Sequence, residues 1–438
     1  MAIYDVSVIG AGLAGCEAAW ILAQGGVKVR LCEMKPHKYS PAHSHPGMAE
    51  LVCSNSLKAE REGSAQGLLK AEMRILGSLI LQCAEDTRVP AGGALAVDRQ
   101  KFSDAVTARI KNHPNIEVVS GEVTEIPGGY TVIATGPLTS DALAHRIGDI
   151  CGGALSFYDA AAPIITAESV DMQIAYFQSR YDRGGAEDYL NCPFGKDEYE
   201  RFHAALAAAQ TAPQKDFDVR VYEGCMPVEI MAGRGVDTLR YGPLRPVGLR
   251  DPRTGKRPWA VVQLRRENAA GTLLNLVGFQ TNLKFPEQKR VFAMIPGLEN
   301  IDIVRYGVMH RNTFIDSPRL LDRYFRLKTD PRIRFAGQIT GVEGYMESAM
   351  SGLAAAHNLL REIRGDAPLE LPPQTMSGAL CGYISDESIR DFQPMGANMG
   401  ILAPLAEHIR NKQARYEALA RRSLNSLQRT VDNRGVII

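Results

Sequence analysis

The chain of 438 residues lacks the features of a membrane or secreted protein. No uninterrupted apolar run approaches the roughly 20 residues that are needed to cross a bilayer. The apolar stretch at the start contains Asp5 and has neither a basic leader nor a cleavage pattern. We therefore predict neither a transmembrane helix nor a signal peptide.

Close cysteine pairs such as C-x-x-C are also missing. The eight cysteines are scattered, at Cys16, Cys32, Cys53, Cys83, Cys151, Cys192, Cys225 and Cys381. This pattern argues against a disulfide framework or a structural zinc site and favours the reducing cytoplasm. Cys16 and Cys32 fall in apolar patterns and are expected to be buried. The histidines of the proline-rich stretch "KPHKYSPAHSHPG" have no further ligands nearby, so we predict a loop there and no metal.

The net charge is small, at +1, but the charge is unevenly distributed. From Arg234 to Arg334 the chain has 20 Lys plus Arg against 9 Asp plus Glu. A basic segment in a near-neutral chain indicates an anionic partner, and RNA is compatible with one basic face. A solvated face with local ion pairs is an equally good interpretation.

The first 34 residues contain the clearest motif. "VSVIG" is typical of a buried strand, a helix is predicted from Leu13 to Ala23, and "VKVRLCE" is typical of the next strand. Between the first strand and the helix lies G-x-G-x-x-G, and an acid follows 23 residues after its first glycine. The predicted dinucleotide-binding residues are Gly10, Ala11, Gly12, Leu13, Ala14, Gly15 and Glu33.

Two further segments favour FAD over NAD as the dinucleotide. "YTVIATGP" is typical of a buried strand that ends at Thr135 and Gly136. Near the other end of the chain, a glycine loop precedes a long helix whose N-terminus could face the flavin or its phosphates. Its predicted cofactor-binding residues are Gly337, Gln338, Gly341, Gly344 and Tyr345. Tyr345 could stack on a flavin or pterin ring, although ordinary aromatic packing explains it equally well.

The domain organisation follows from where the strand–helix alternation stops. We predict an α/β fold, in which residues 1–157 and 322–438 form a discontinuous Rossmann-like, glutathione-reductase-like FAD-binding domain. Residues 158–321 are rich in Tyr, Pro, Arg and hairpin-like runs, and are predicted to form an inserted α+β domain. A helix is expected to begin after a cap at Ser54, Asn55 or Ser56.

Beyond these local patterns, the sequence resembles the TrmFO family of folate- and FAD-dependent tRNA (uracil-54-C5)-methyltransferases. The matching stretches run in order along nearly the whole chain. They include "GAGLAGCEAAW", "LVCSNSLK", "ALAVDRQKFS", "YEGCMPVEIMAGRG", "FQTNLKFPEQKRVF" and "GQITGVEGYMESAMSGLAAA". The glycine motifs fit any flavoprotein, whereas the two cysteine stretches and "FPEQKRVF" are far more particular.

The resemblance implies a reaction. Methylenetetrahydrofolate would supply a carbon to C-5 of uridine 54 in the tRNA T loop, giving ribothymidine. Reduced FAD would act as reductant and methylene carrier, and NADPH or NADH would reduce it. The inserted domain, residues 158–321, would then bind the substrate and tRNA. No obligate protein partner is implied.

Two cysteines are the candidates for catalysis under this resemblance. Cys225 would add to uracil C-6 as a thiolate, and Cys53 would assist proton removal or shield the intermediate. Both are expected at helix starts, where thiol pKa values fall, and Pro227 suits the first helical position after Cys225. Cys192 is a weaker candidate, for which loop packing is expected.

The remaining residues are weaker candidates. Asn282 and Tyr345 would contact folate. The cationic side chains of Lys284, Lys289 and Arg290 would contact tRNA. Glu223 and Glu229 would transfer protons or bind the base near Cys225.

Three alternatives remain open at this stage. The first is the related flavoprotein that modifies the tRNA wobble uridine. The second is an FAD/NAD(P)H oxidoreductase of small molecules, which would need no basic segment. The third is a non-catalytic flavin-bearing RNA-binding protein, whose function would survive loss of the cysteines.

Overall fold

The computed structural model describes residues 4–153, 155–160, 162–182, 185, 187–212, 226–307, 309–390 and 392–434. The strands are β1 (Val6–Ile9), β2 (Val29–Glu33), β3 (Ser56–Ala59), β4 (Arg88–Val89), β5 (Ala94–Val97), β6 (Ile116–Ser120), β7 (Tyr130–Ile133), β8 (Leu155–Ala160), β9 (Ile164–Thr166), β10 (Tyr176–Phe177), β11 (Leu190–Phe194), β12 (Ala260–Arg266), β13 (Leu273–Leu276), β14 (Ile303–Arg305), β15 (Met309–Phe314) and β16 (Ile333–Phe335). The helices are α1 (Leu13–Gln24), α2 (Ala65–Ile75), α3 (Leu79–Asp86), α4 (Arg99–Lys111), α5 (Asp141–Cys151), α6 (Lys196–Ala207), α7 (Val228–Gly233), α8 (Thr238–Tyr241), α9 (Phe285–Phe292), α10 (Ser317–Leu320), α11 (Tyr345–Arg364), α12 (Met376–Tyr383) and α13 (Lys412–Arg434).

The first sheet is parallel throughout, in the order β16-β7-β1-β2-β6. All four residues of β1 are buried, as expected for a central parallel strand with helices on both faces. β16 comes from the C-terminal part of the chain and extends a sheet that the N-terminal part begins. The predicted α/β fold with a Rossmann-like sheet is therefore confirmed.

The second sheet has six strands in the order β10-β11-β12-β13-β9-β14, and its pairings are antiparallel. The predicted hairpin runs "PWAVVQLRREN" and "LLNLVGFQT" become the neighbours β12 and β13. This sheet has a hydrophobic core separate from that of the first sheet. Its strands lie between β7 and β16 in the chain, which fits an inserted α+β unit. The boundaries at residues 157 and 322 stay a prediction.

One local prediction was wrong. The helix expected to start at residues 54–56 begins at Ala65 instead, and its cap is Ser64, whose Oγ accepts a hydrogen bond from the Gly67 amide at 3.2 Å. Residues Ser56–Ala59 form β3, which pairs with β5. The ammonium group of the buried Lys70 donates to the carbonyl oxygens of Leu57 and Ala59 at 2.7 and 2.6 Å. Tertiary pairing thus overrides the capping signal.

The C-terminal helices are joined to the first core by one buried carboxylate. Glu72 on α2 accepts hydrogen bonds from the amides of Met376 and Ser377, both at 2.7 Å, and from the Ser423 hydroxyl. Near the C-terminus the structure has α12 and α13, and a short 3-10 helix, Met399–Ile401, lies between them. Within the described ranges, no helix is both long and apolar enough to cross a membrane.

Candidate functional site

A cavity lies at the carboxyl ends of the parallel strands β1, β2 and β7, where open α/β sheets bind their ligands. The structure brings together at its wall most of the residues that the sequence predicts to bind a cofactor. These are Gly10, Ala11, Gly12, Leu13, Ala14, Glu33, Thr135, Gly136, Gly337, Gln338 and Tyr345. Their role in binding stays a prediction, but their convergence from three distant parts of the chain fits it.

Three predicted glycines lie behind the wall and shape it. A Cβ on Gly15 would lie 1.8 Å from the carbonyl oxygen of Gly10, so the turn and α1 can approach only without a side chain. Gly341 has φ +82 and packs against Phe392, and Gly344 is the N-cap of α11 with φ +121. The backbone requires glycine at these positions, and their part in cofactor binding stays a prediction.

The wall has the shape that a dinucleotide requires. Gly12 has no other group within 4 Å of where its Cβ would be, so its surface is open for the close approach of a diphosphate. The carboxylate of Glu33 accepts a hydrogen bond from the Ala11 amide at 2.8 Å, which holds it at the cavity beside the glycine turn. The geometry fits the predicted FAD.

Two helices begin at this cavity. Leu13 and Tyr345, the first residues of α1 and α11, both line it. A Cβ on Gly352 of α11 would lie 2.2 Å from the carbonyl oxygen of Ala14, so the two helices are in close contact near their starts. Both N-caps are glycines without a side chain to satisfy the first amides, and such helix ends favour anionic ligands.

Sequence reasoning missed a buried charged cluster at the same wall. Lys35 and Glu50 form an ion pair at 3.4 Å, and both line the cavity together with His43. Burial works against ionisation of Glu50, but hydrogen bonds from the amides of Ser44 and His45 lower its pKa. Burial lowers the pKa of His43, which favours the neutral form of its ring. The loop at residues 35–51 is therefore part of the cavity wall; its three prolines and charged residues were the available signal.

Cys53 lies against the first residue of α11. The Tyr345 hydroxyl accepts hydrogen bonds from the amides of Cys53 and Ser54 at 2.8 and 3.2 Å, and lies 3.0 Å from the Cys53 Sγ. Burial, and then the nearby thiol, raise the pKa of Tyr345 well above its usual value, so its proton is retained. Because both lone pairs of the hydroxyl are used by the amides, that proton is free to point at the sulfur.

The expected reason for a reactive Cys53 was therefore wrong in its details. Cys53 precedes a short strand, not a helix, and a tyrosine hydroxyl takes the place of the helix amides. Its segment is anchored to the second sheet through Arg265, whose guanidinium donates to the Asn55 Oδ1 at 2.9 Å and to the Ser54 Oγ at 2.9 Å. Arg99 donates to the Leu51 carbonyl oxygen at 2.8 Å.

We expect Tyr345→Phe to raise the pH at which Cys53 becomes reactive, since the phenol no longer donates to the sulfur. The loss also leaves two amides without their acceptor, which costs about 1–3 kcal/mol of local stability. The measurement is the rate of Cys53 alkylation by iodoacetamide as a function of pH, with the modified cysteine identified by mass spectrometry.

Tyr199→Phe is the matched control for this experiment. The Tyr199 hydroxyl donates to the Val236 carbonyl oxygen, and Tyr199 packs in the core of the second sheet. The pH dependence of Cys53 alkylation should therefore not change. An unchanged profile in Tyr345→Phe would show that the hydroxyl does not govern the thiol.

Cys225, Glu223 and the whole run "VRVYEGC" lie outside the described residues. The described residues that flank this gap are both hydrogen-bonded to residues 280–282. The Ala212 amide donates to the Asn282 carbonyl oxygen at 2.8 Å, and the Val228 amide donates to the Gln280 carbonyl oxygen at 2.7 Å. Pro227 is the N-cap of α7, one position before the predicted one.

Glu229 connects α7 to that same stretch. Its carboxylate accepts from the Asn282 amide at 2.7 Å and from the Thr281 hydroxyl at 2.8 Å. Asn282 is buried and outside the cavity wall, where its side-chain amide donates to Ala212 O at 3.3 Å. Both side chains thus hold α7 and residues 281–282 together, and their predicted roles at the site stay predictions.

The three predicted tRNA contacts lie on or beside α9 and away from the cavity wall. Lys284, Lys289 and Arg290 are all exposed. Arg290 pairs with Glu287 at 2.7 Å, and the Lys284 ammonium donates to the Gln210 Oε1 at 2.9 Å. Part of the basic charge is thus locally neutralised.

Cys192 lies in β11 rather than in a loop, and it is fully buried. Burial raises the pKa of its thiol far above the usual range. Cys16 and Cys32 are buried as predicted. Among the described cysteines, Cys53 is the only one that is not buried.

Similarity to known proteins extends over nearly the whole chain and is not limited to the glycine motifs. A family model described as "Glucose inhibited division protein A" (GIDA) matches residues 5–367. A curated protein of Acetivibrio thermocellus is 58% identical over 429 residues, covering 97% of this chain and 98% of its own. One from Geobacter sulfurreducens is 59% identical, covering 96% and 98%. Both are named methylenetetrahydrofolate–tRNA-(uracil-5-)-methyltransferase TrmFO.

The chain belongs to the TrmFO family. Solved structures extend the likeness to the fold: two crystal forms of Aquifex aeolicus GidA match with TM-scores of 0.68 and 0.69. They are 15% and 17% identical, and the matches cover 98% and 99% of this chain and 75% and 78% of theirs. The TrmFO chain thus has the GidA-like flavoprotein fold.

Proposed function

We propose that this TrmFO-family protein methylates C-5 of uridine 54 in the T loop of tRNA, forming ribothymidine in the cytoplasm. Methylenetetrahydrofolate is the carbon donor, FAD is the bound cofactor, and NADPH or NADH is the source of electrons. The proposal rests on the 58% and 59% identity to relatives named for this transfer, in agreement with the geometry at Cys53.

The observation that supports the chemistry best is the contact between Cys53 Sγ and the Tyr345 hydroxyl at 3.0 Å, since Tyr345 lines the cavity that fits the dinucleotide. A plain dinucleotide oxidoreductase has no need of a partly exposed thiol that is hydrogen-bonded at this position. Such a thiol can serve a pyrimidine that is presented to the same cavity.

The need for a thiolate follows from the weak nucleophilicity of uracil C-5. When the sulfur of Cys225 bonds to C-6, the electron pair of the C-5–C-6 double bond moves onto the C-4 oxygen as an enolate. C-5 then bonds to the methylene carbon. Loss of the C-5 proton and cleavage of the donor's carbon–nitrogen bond, with its electrons left on nitrogen, give an exocyclic methylene. Hydride addition to this carbon expels the thiolate and leaves a methyl group.

The residues of this chain have separate tasks in that sequence. Cys225 carries the covalent bond, and Cys53, held by Tyr345, takes up the C-5 proton or shields the adduct. The glycine turn and Glu33 would hold FAD through its diphosphate and ribose. Bound FAD, reduced by NADPH or NADH, supplies the electrons for the final reduction.

The test is methyl transfer in vitro. Purified protein is mixed with methylenetetrahydrofolate labelled in its one-carbon unit, NADPH and unmodified tRNA, and the nucleosides are separated after digestion. Label in ribothymidine is expected, and a transcript with cytidine at position 54 should remain unlabelled. Flavin reduction without label in any nucleoside would instead favour the small-molecule oxidoreductase.

A further inference from the structure

Two stacked aromatic rings, one exposed and one partly buried, lie outside the cavity in the part of the chain that forms the second sheet. Phe285 and Tyr306 have ring centroids 4.5 Å apart and an interplanar angle of 23°. Phe285 is 51% exposed, which is unusual for such a large apolar ring. Intramolecular packing therefore leaves about half of the Phe285 side chain accessible to a partner. We call these two rings the aromatic pair.

The aromatic pair is held in place from below. Gln288, which is fully buried, donates through its Nε2 to the carbonyl oxygens of Leu283 and Gly307, both at 2.7 Å. Its Oε1 accepts from the Gly307 amide at 2.9 Å. The start of α9 and the chain after β14 are thereby fixed to each other. A surface organised in this way loses little conformational entropy when a flat partner binds to it.

The aromatic pair is also connected to the cavity. Arg305 directly precedes Tyr306, and its guanidinium donates to the Ala42 carbonyl oxygen at 3.2 Å. The residue after Ala42, His43, lines the cavity wall. The aromatic pair is thus joined to the wall by a short run of contacts. A large substrate whose reacting group enters the cavity would extend over this surface.

The positive charges near the aromatic pair favour an anionic partner. Lys284 precedes Phe285, and Lys289 and Arg290 lie on the same helix, α9, all exposed. A flat aromatic face with flanking cations suits a stacked nucleobase with its phosphates, because every base has a π face and every linkage a negative charge. A hydrophobic protein partner would not require the lysines.

We propose that Phe285 and Tyr306 form a stacking platform for an unpaired base of the RNA substrate, next to the nucleotide that enters the cavity. The identity of the RNA as tRNA rests on the proposed function. The platform itself requires only a single-stranded loop with an accessible base.

The experiment uses the full protein and an unmodified T-arm hairpin in which single loop bases are replaced by 2-aminopurine, one position at a time. Binding is followed by anisotropy at about 50 and 200 mM salt, and stacking by the quenching of 2-aminopurine. For Phe285→Ala we expect roughly tenfold weaker binding at both salt concentrations and loss of quenching at one loop position. Phe285→Trp should restore both.

Two further variants separate stacking from charge. Phe177→Ala removes another exposed ring, on β10 at the opposite edge of the second sheet from β14, and should bind like the wild type. Lys289→Ala should reduce the slope of log K against log salt by about 1 while the quenching remains. Because Phe285 is exposed, Phe285→Ala should retain its flavin content and melting temperature.

The outcomes distinguish this inference from the proposed function. If the wild type forms ribothymidine but Phe285→Ala binds and quenches normally, the platform is overturned and the function stands. If the wild type binds the hairpin, Phe285→Ala does not, and no ribothymidine forms, the platform stands and the function fails.

Discussion

Replacing Cys225 with alanine is expected to reduce methyl transfer to tRNA by at least about a thousandfold, since the enolate at uracil C-5 cannot form without the thiolate. The variant should still bind FAD, because the described residues that line the cavity come from other parts of the chain. It should also still oxidise NADPH. The measurement is the rate of ribothymidine formation together with the flavin content of the same preparation.

Two substitutions of Cys53 distinguish proton transfer by its thiol from a hydrogen-bonding contact alone. Cys53→Ser retains a hydrogen-bonding atom beside the Tyr345 hydroxyl, whereas Cys53→Ala removes it. If the thiol itself handles a proton, both variants should lose about the same large factor in rate. If only the contact matters, Cys53→Ser should stay active, and the assigned role of Cys53 would be wrong.

Cys192→Ala is the matched control for both cysteines. Its sulfur is fully buried in β11, so we expect a loss of stability of about 1 kcal/mol with the rate of methyl transfer unchanged. A loss of activity in this control as large as that in Cys225→Ala would point to damaged folding instead of lost chemistry.

Alanine at the glycines of the first turn should have two distinct effects. Gly15→Ala places a Cβ 1.8 Å from the backbone oxygen of Gly10, which cannot move cheaply, so we expect a loss of about 3 kcal/mol or more in stability. Gly12 has φ −74, a value that alanine adopts, and no other group within 4 Å of where its Cβ would be. Gly12→Ala should therefore fold but bind FAD roughly 10- to 100-fold more weakly.

The two effects are measured as the melting temperature of the flavin-free protein and as the FAD dissociation constant. Gly148→Ala, within α5 and with open space around it, is the control and should slightly stabilise the helix without affecting FAD. If Gly12→Ala binds FAD as tightly as the wild type does, the diphosphate does not approach this glycine, and the assigned cofactor site is wrong.

The sequence by itself determined the features that depend on neighbours along the chain. The spacing of Gly10, Gly12 and Gly15 between a strand and a helix requires one local turn, because the conflict between Gly15 and Gly10 arises within six residues. Glu33 follows from the length of the next strand. The antiparallel hairpin of β12 and β13 could be predicted for the same reason, because its two strands are neighbours along the chain.

Only the tertiary structure decided which distant groups meet. Cys53 and Tyr345 are 292 positions apart, and no periodicity relates them. The aromatic pair likewise joins two segments through a buried glutamine. Residues 56–59 form a strand instead of the predicted helix start, because they pair with β5 and their carbonyl oxygens bind the Lys70 ammonium group. Local patterns set backbone conformation, whereas side-chain chemistry depends on contacts that form only when the whole chain has folded.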